Sequence, residues 1–198
     1  MSQPEVKFEA RPLTPATWPD FEELFGLPGG SIVRGCWCMY FRRSGPSSAG
    51  SHESVGAERK HAMREIVDSG VVPGLIGYAD GSPAGWISLG PREGYAKLRR
   101  SKIMKAVDDT PCWSVICSYV PKQHRGQGLQ HKLLEAAIDY ARASGIGVLE
   151  SYPVDYPGKV DANALFFGSR ELYQRAGFTE VVRRSPTRVV MRLRLNDS

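Results

Sequence analysis

The chain has 198 residues, room for one sizeable hydrophobic core but not comfortably for two. Hydrophobic residues make up 41% and charged residues 24%, which excludes a disordered polyelectrolyte, and no apolar run approaches the length of a bilayer span. The net charge of +5 and the pI of about 9.1 suit either a nucleic-acid binder or an enzyme that holds a polyanionic co-substrate.

The first residues, Met1 to Glu9, contain no apolar stretch behind a basic one, so the expectation is a cytoplasmic chain without a secretory signal or a membrane partner. Val6 to Ala10 alternates apolar and polar residues, as an edge strand does. Thr14 followed by Pro15 reads as an N-cap with proline at the first helical position. Trp18, Phe21, Leu24 and Phe25 then recur at helical spacing up to Gly26, and Pro28-Gly29-Gly30 ends the helix. Gly35 to Phe41 is rich in large side chains for a connection, and Ser44 to Ser51 is a loop of small and polar residues.

A second helix fits Ser54 to Ser69, and Gly74 to Tyr78 forms a hairpin with Gly85 to Leu89 through the turn Asp80-Gly81-Ser82-Pro83. Pro91 to Pro111 is a long connection carrying Lys97, Arg99, Arg100, Lys102 and Lys105. Trp113 to Val120 is a nearly unbroken apolar strand, of the kind buried on both faces. Leu129, Leu133, Ala136, Ala137, Tyr140 and Ala141 give the clearest amphipathic helix, ended by Gly145. The strand Gly147 to Tyr152 follows at once, so strand, helix and strand make a right-handed parallel crossover. A last helix includes Leu172 and Tyr173, and the strands Thr179 to Arg184 and Arg188 to Leu195 meet at Ser185-Pro186-Thr187. These elements predict one mixed α/β domain over residues 1–198.

Of the four cysteines, Cys36 and Cys38 are a tight pair, whereas Cys112 and Cys117 lie on another element. That spacing departs from the two pairs of a four-thiolate zinc site, so reduced, mostly buried thiols and no metal are expected.

The segment most informative about chemistry runs from Tyr119 through Pro121 and Arg125-Gly126-Gln127-Gly128 to Leu129. A buried strand stops at a proline, and a short basic loop with two glycines opens into the best helix. Glycines let the backbone approach a bound group, and the helix start offers unpaired N–H donors at a positive dipole end, which together make a phosphate cradle. The nucleotide P-loop string is absent. The dinucleotide fingerprint fails because His131 stands at its third glycine position and because five residues separate Val120 from Gly126.

The remaining pattern, Gln123-x-x-Gly126-x-Gly128 between a buried strand and a helix, resembles the pyrophosphate-binding motif of the GNAT superfamily of N-acetyltransferases. Leu172-Tyr173-x-x-x-Gly177-Phe178 is similar to the second signature of that family, and the order of elements matches from Val6 to Leu195. Cys36-Trp37-Cys38-Met39-Tyr40, Gly85-Trp86 and Glu150-x-Tyr152-Pro153-Val154-Asp155 resemble a bacterial branch of the superfamily. The resemblance implies a central mixed sheet of six to seven strands, splayed where acetyl-CoA binds and flanked by four or more helices. It implies direct transfer of an acetyl group from acetyl-CoA to a primary amine, the acceptor being a small molecule or a peptide, and a homodimer of the kind some relatives form through their last strands.

Carried over by residue, the resemblance gives Tyr119, Val120, Gln123, Arg125, Gly126, Gln127, Gly128, Leu129 and Gln130 to the co-substrate. A backbone N–H near Val120 would steady the thioester oxygen, and Tyr173 would protonate the departing thiolate. Glu150 is the first candidate for the base that takes the amine proton, ahead of Asp155 and Glu93. Trp37, Met39, Tyr40 and Phe41 would line the acceptor pocket, Trp37 and Tyr40 binding the acceptor, with Glu53, Glu58 or Asp155 as acidic company for a cationic amine. The family's usual Asn about seven residues before the tyrosine has no match, since Asn163 lies ten before it. Two other readings stand beside this one. A CoA-binding regulatory module would bind without turnover, and a nucleic-acid binder would use Lys97 to Lys105 and show steep salt dependence, although no reading helix or zinc module accompanies that segment.

Overall fold

Alternating and continuous apolar strands assemble into one sheet in the computed structural model, which describes residues 6–27, 31–44, 52–156 and 166–195. Its seven strands are β1 (Phe8–Pro12), β2 (Gly74–Ala79), β3 (Ser82–Pro91), β4 (Trp113–Tyr119), β5 (Val148–Ser151), β6 (Thr179–Ser185) and β7 (Arg188–Arg194), in the order β1-β2-β3-β4-β5-β7-β6. All neighbours are antiparallel except β4 and β5, which the crossover helix α5 (Leu129–Ala143) joins in parallel. Five further helices are present among the described residues: α1 (Trp18–Gly26), α2 (Ser31–Cys36), α3 (His52–Asp68), α4 (Ala96–Arg100) and α6 (Arg170–Arg175). The expected mixed α/β sheet and its flanking helices are therefore found, with α2 and α4 as additions. The breaker at residues 28–30, most of the small polar loop at 45–51 and Asn163 lie outside the described residues.

The two faces of the sheet carry separate cores. On one face the apolar stripe of α5, Leu133, Leu134, Ala137, Ile138 and Ala141, packs with Leu75, Ile87, Val115, Leu149 and Met191, and Tyr173 of α6 joins this layer. On the other face an aromatic core gathers Trp18, Phe21 and Phe25 of α1 with Trp37, Trp86 and Tyr119. The height of α5 above the sheet is set by Gly77 and Gly85, which face each other in register. A Cβ on either would come within 2.8 or 2.7 Å of a Leu133 methyl, so bare backbone is what lets α5 settle.

The central strand is irregular where the chemistry is expected. Ser88 pairs with Cys117 and Leu89 with Val115, which leaves Ile116 as an extra residue in β4. A bulge of this kind bends its strand and sharpens the twist. β4 and β5 pair only through Trp113–Leu149, Ser114–Glu150 and Val115–Ser151, and their ladder ends at the bulge. Further along, the Ser118 N–H donates instead to the Phe166 carbonyl at 2.7 Å. The splay between β4 and β5 thus has a local cause.

The basic connection from Pro91 to Pro111 is more ordered than its sequence suggests. A 3₁₀ turn (Arg92–Gly94) and α4 fill its first half. The second half is stapled to the sheet by arginines: Arg92 donates to the Met104 carbonyl, and Arg184 donates to the carbonyls of Ile103, Lys105 and Ala106. Among the described residues, no helix is long and apolar enough to cross a membrane.

Candidate active site

Past the bulge, β4 ends at Tyr119, and Pro121 opens a 3₁₀ turn (Lys122–His124) that leads to the two glycines. Gly126 and Gly128 both sit in the left-handed region, with φ of +80° and +73°. A Cβ at either would meet nothing within 4 Å, so backbone conformation, not crowding, selects glycine here. Gly128 forms the N-terminal boundary of α5, and no side chain caps that end. The first amides of a fifteen-residue helix are left directed at the turn, where the positive end of the helix dipole adds to them.

These residues line a cleft of about 310 Å³. Its walls include Tyr119, Val120, Arg125, Gly126, Gly128, Leu129 and Gln130, seven of the nine positions expected to meet the co-substrate. Gln123 and Gln127 are exposed and lie off the lining; the Gln127 amide reaches the Gln123 carbonyl at 3.5 Å, the limit of a hydrogen bond. Arg125 donates through Nε to the Val120 carbonyl at 3.1 Å, and Gln130 donates to Ser118 Oγ at 2.8 Å, bracing the strand end against the helix start. Ser118, His124 and Phe166 also line the cleft. Sequence reasoning missed them; only Ser118, a polar residue inside an apolar strand, carried a signal.

A second cavity, about 480 Å³, opens near the bulge. Val33, Tyr40, Phe41, Ile116, Phe166 and Phe167 supply its apolar walls, with Cys36, Cys38, Cys117, Arg59 and Arg188 beside them. Ile116 and Cys117 are consecutive yet both face this cavity, which regular alternation forbids and the bulge allows. Phe166 borders both cavities, so they are neighbours beside the splay.

Of the two residues expected to bind the acceptor, Tyr40 lies on this cavity and is 49% exposed, with the Lys97 ammonium 3.3 Å from its ring centroid. Trp37 does not line the cavity. It is buried in the aromatic core, stacked at 5.2 Å on Phe25 and at 6.4 Å near Trp18. The chain makes this possible by turning sharply after α2, where Trp37 and Cys38 both take left-handed φ values, 46° and 51°. That costs on the order of 1–3 kcal/mol per residue. The turn sends Trp37 inward and brings Cys38 Sγ to within 3.0 Å of the Trp86 indole N–H, which donates to it.

Tyr173 is 2% exposed, edge-to-face with Phe178 at 5.1 Å and close to Gly168. Burial, then nearby Cys117, pushes its hydroxyl well above the usual tyrosine range, so the phenol keeps its proton. Glu150 is fully buried on β5, across the sheet from α5. Oε1 accepts from Arg92 Nε at 3.2 Å and from the Tyr152 hydroxyl at 2.5 Å, and Oε2 accepts from Arg192 Nε at 2.8 Å. Arg192 also pairs with Asp108 at 2.7 Å. Both oxygens of the expected base are thus tied into an ion-pair network that anchors the basic connection.

The other carboxylates considered lie elsewhere. Asp155 is paired with Arg183 and Arg170, Glu58 lies 3.6 Å from Arg43, and Glu53 and Glu93 are exposed. Among the described residues no carboxylate lines either cavity. The thiols of Cys36, Cys38 and Cys112 are all pushed upward, mainly by burial for Cys36 and Cys112 and by the Cys117 contact for Cys38, which makes them poor nucleophiles. Among the described residues no group of three or more metal-ligating side chains is assembled.

Comparison with known proteins bears on this arrangement. The family described as "Acetyltransferase (GNAT) family" matches residues 41–178, a span that holds the glycine turn, α5 and Tyr173. Among solved structures, the chain is similar to yncA of Salmonella typhimurium, a presumed acetyltransferase solved with its cofactor acetyl-CoA, at 18% identity and a TM-score of 0.53 over 96% of this chain and 95% of that one. It is similar to a GNAT-family acetyltransferase from Listeria monocytogenes at 12% identity and a TM-score of 0.58, over 98% and 99%. An N-acetyltransferase from Staphylococcus aureus matches at 13% identity and a TM-score of 0.55, over 96% and 99%. A comparison with curated protein sequences finds no match. At these identities the structures speak for the fold, while the family match covers well over half the chain: this protein belongs to the GNAT family of acetyltransferases.

Proposed function

We propose that the protein transfers an acetyl group from acetyl-CoA to a primary amine, with the co-substrate in the glycine cleft and the acceptor in the apolar cavity. The observation that carries this reading is the adjacency of the two cavities, which share Phe166 as a wall beside the splay between β4 and β5. The residues fit such a co-substrate: an uncapped helix start and two left-handed glycines suit a pyrophosphate, and a strand paired to β3 but left without a β5 partner beyond Val115 suits an amide-bearing arm. Acetyl-CoA would supply an activated acyl group.

Each residue then has a task. The amides from Arg125 to Gln130 hold phosphate, and the backbone N–H near Val120 steadies the carbonyl oxygen as negative charge collects on it. Tyr173 lies off both linings, beside Gly168 and Cys117, and acts in this reading as the acid that protonates the departing sulfur. Its raised pKa makes it a reluctant acid, but the desolvation that raises the phenol also raises a thiol in the same place, and concerted transfer avoids a free thiolate. We assign no catalytic role to Glu150, whose oxygens are occupied, and none to Trp37. With no carboxylate on the described lining, the amine proton leaves to solvent.

The test is calorimetric titration of acetyl-CoA into the full chain and into Gly126→Asp, which places both a strained side chain and a negative charge in the cradle. Binding by the wild type and at least about a 100-fold loss in the variant are expected. A folded wild type that does not bind acetyl-CoA would overturn the reading.

A further inference from the structure

The acceptor cavity is apolar and cationic, with nothing acidic on its described lining. Its charge comes from Arg59, whose Nη1 donates to the Gly35 carbonyl, and from Arg188 at the start of β7. Arg188 is half-buried, lies 4.7 Å over the face of Phe167, and donates through Nη1 to the Tyr152 carbonyl at 2.7 Å. Those two contacts fix the plane of the guanidinium while using one of its nitrogens. Several nearby arginines already have carboxylates, and Arg184 is saturated by three backbone carbonyls. Arg92 and Arg192 share Glu150, and Arg170 and Arg183 share Asp155 and Glu180. Among the described residues Arg188 has no carboxylate partner. Burial opposes its charge, and a guanidinium held in apolar surroundings without an anion is a costly arrangement that a bound carboxylate would relieve.

From this we infer that the acceptor is an amine that also carries a carboxylate, held by Arg188, on an apolar or aromatic body: an amino acid or a compound built like one. The inference rests on the acetyl-transfer reading only for naming the ligand an acceptor; the carboxylate site itself is independent of turnover. The apolar walls from Val33 to Phe167 accept the body, Arg188 fixes one end, and the amine is left to point toward Phe166 and the cleft. Polyamines and other polycations are disfavoured, because the Arg188 guanidinium and no acid of the described lining would meet them.

The experiment uses matched pairs on the full chain. Binding of 3-phenylpropionate and of its neutral isostere 3-phenylpropanamide is measured by calorimetry, and thiol release from acetyl-CoA is measured with L-phenylalanine and with phenethylamine. The wild type is expected to favour the carboxylate-bearing partner by about 10–100-fold, the range of a hydrogen-bonded charge pair. Arg188→Gln should bring that preference near unity, and Arg188→Lys, which keeps the charge but not the fork, should retain part of it. Acetyl-CoA affinity, read in the same variants, reports that the fold and the cleft are intact. Equal values for the two partners, no engagement of either by binding or turnover, or a preference that survives Arg188→Gln overturns the inference. An Arg188-dependent carboxylate site in a protein that fails to bind acetyl-CoA would keep the site and discard the transferase reading.

Discussion

Tyr173 and Glu150 are both buried and ionisable, and their neighbours separate them. Tyr173 is packed against Phe178 and beside Cys117, and among the described residues no hydrogen-bond partner fixes its hydroxyl. Replacing it by Phe removes no structural contact of the oxygen, so Tyr173→Phe should keep its melting temperature and its acetyl-CoA affinity while kcat falls about 100-fold. Unchanged kcat would return the proton to solvent. Glu150 is held from three sides, and Glu150→Gln would leave Arg92 and Arg192 facing a neutral group in the interior. The expected outcome is a loss of stability on the order of 3–5 kcal/mol in urea unfolding. A variant of normal stability and abolished turnover would instead make Glu150 the base. Sequence could place both residues but could not tell them apart, because Arg92 and Arg192 lie 58 and 42 positions away from Glu150. The glycine turn was legible for the opposite reason: Gly126, Gly128 and the helix they open are local, and two left-handed residues leave a compositional trace. Trp37 illustrates the limit, since an aromatic residue in a connection reads the same whether it lines a pocket or fills a core. Arg188 drew no attention because nothing in a strand sequence reveals a cation left without its anion.

At the scale of elements, α6 and the turn before it decide where Tyr173 points. Ser169 caps α6 by accepting from the Leu172 N–H at 3.3 Å, and the Gly168 carbonyl accepts from the Val154 N–H at 3.1 Å. Gly168 has φ +74°, and a Cβ there would come within 2.9 Å of Leu172 and 3.0 Å of Tyr173. Gly168→Ala should therefore cost about 1–3 kcal/mol in unfolding and also depress kcat, by displacing the phenol, more than it weakens acetyl-CoA binding. A stability loss with full turnover would show that the turn does not position Tyr173. Most strands and the long helices α1, α3 and α5 were readable from periodicity. The short helices α2 and α4 were not, since five or six residues give too little of a 3.6-residue period to register, and the equally short α6 was expected only around Leu172 and Tyr173, without bounds. The bulge at Ile116 was equally hidden, because an inserted residue in an all-apolar strand leaves no break in pattern.

Across the molecule, burial acts on many acids in one direction. Burial or near neighbours push up the thiols of Cys36, Cys38 and Cys112, the last to about 12, and the hydroxyls of Tyr78, Tyr95, Tyr119, Tyr152 and Tyr173. Each is neutral when protonated, so the folded state holds these protons more tightly than the unfolded chain does. The stability they contribute is complete below the unfolded values, about 8.5 for thiols and about 10 for tyrosines, and is lost as pH rises toward the folded ones. Urea midpoints should accordingly drop more between pH 8 and about 10.5 than between pH 6 and 8, and Cys112→Ala should shrink that drop. A flat alkaline limb would contradict the assignment. At the acid end Asp108 and Glu22 are held below their ordinary range by Arg192 and Lys60, so their contribution fades as pH falls; both are solvent-facing and weigh little.

The ladder between β4 and β5 has three rungs, and the four strands before it and the three after it make two leaves bound along that short spine. A book with so brief a binding is held shut as much by what is pressed between its pages as by its stitching. A co-substrate arm laid in the gap would add rungs to the spine, so that the same molecule that brings the acyl group would also finish the sheet, and release of the spent carrier would reopen it.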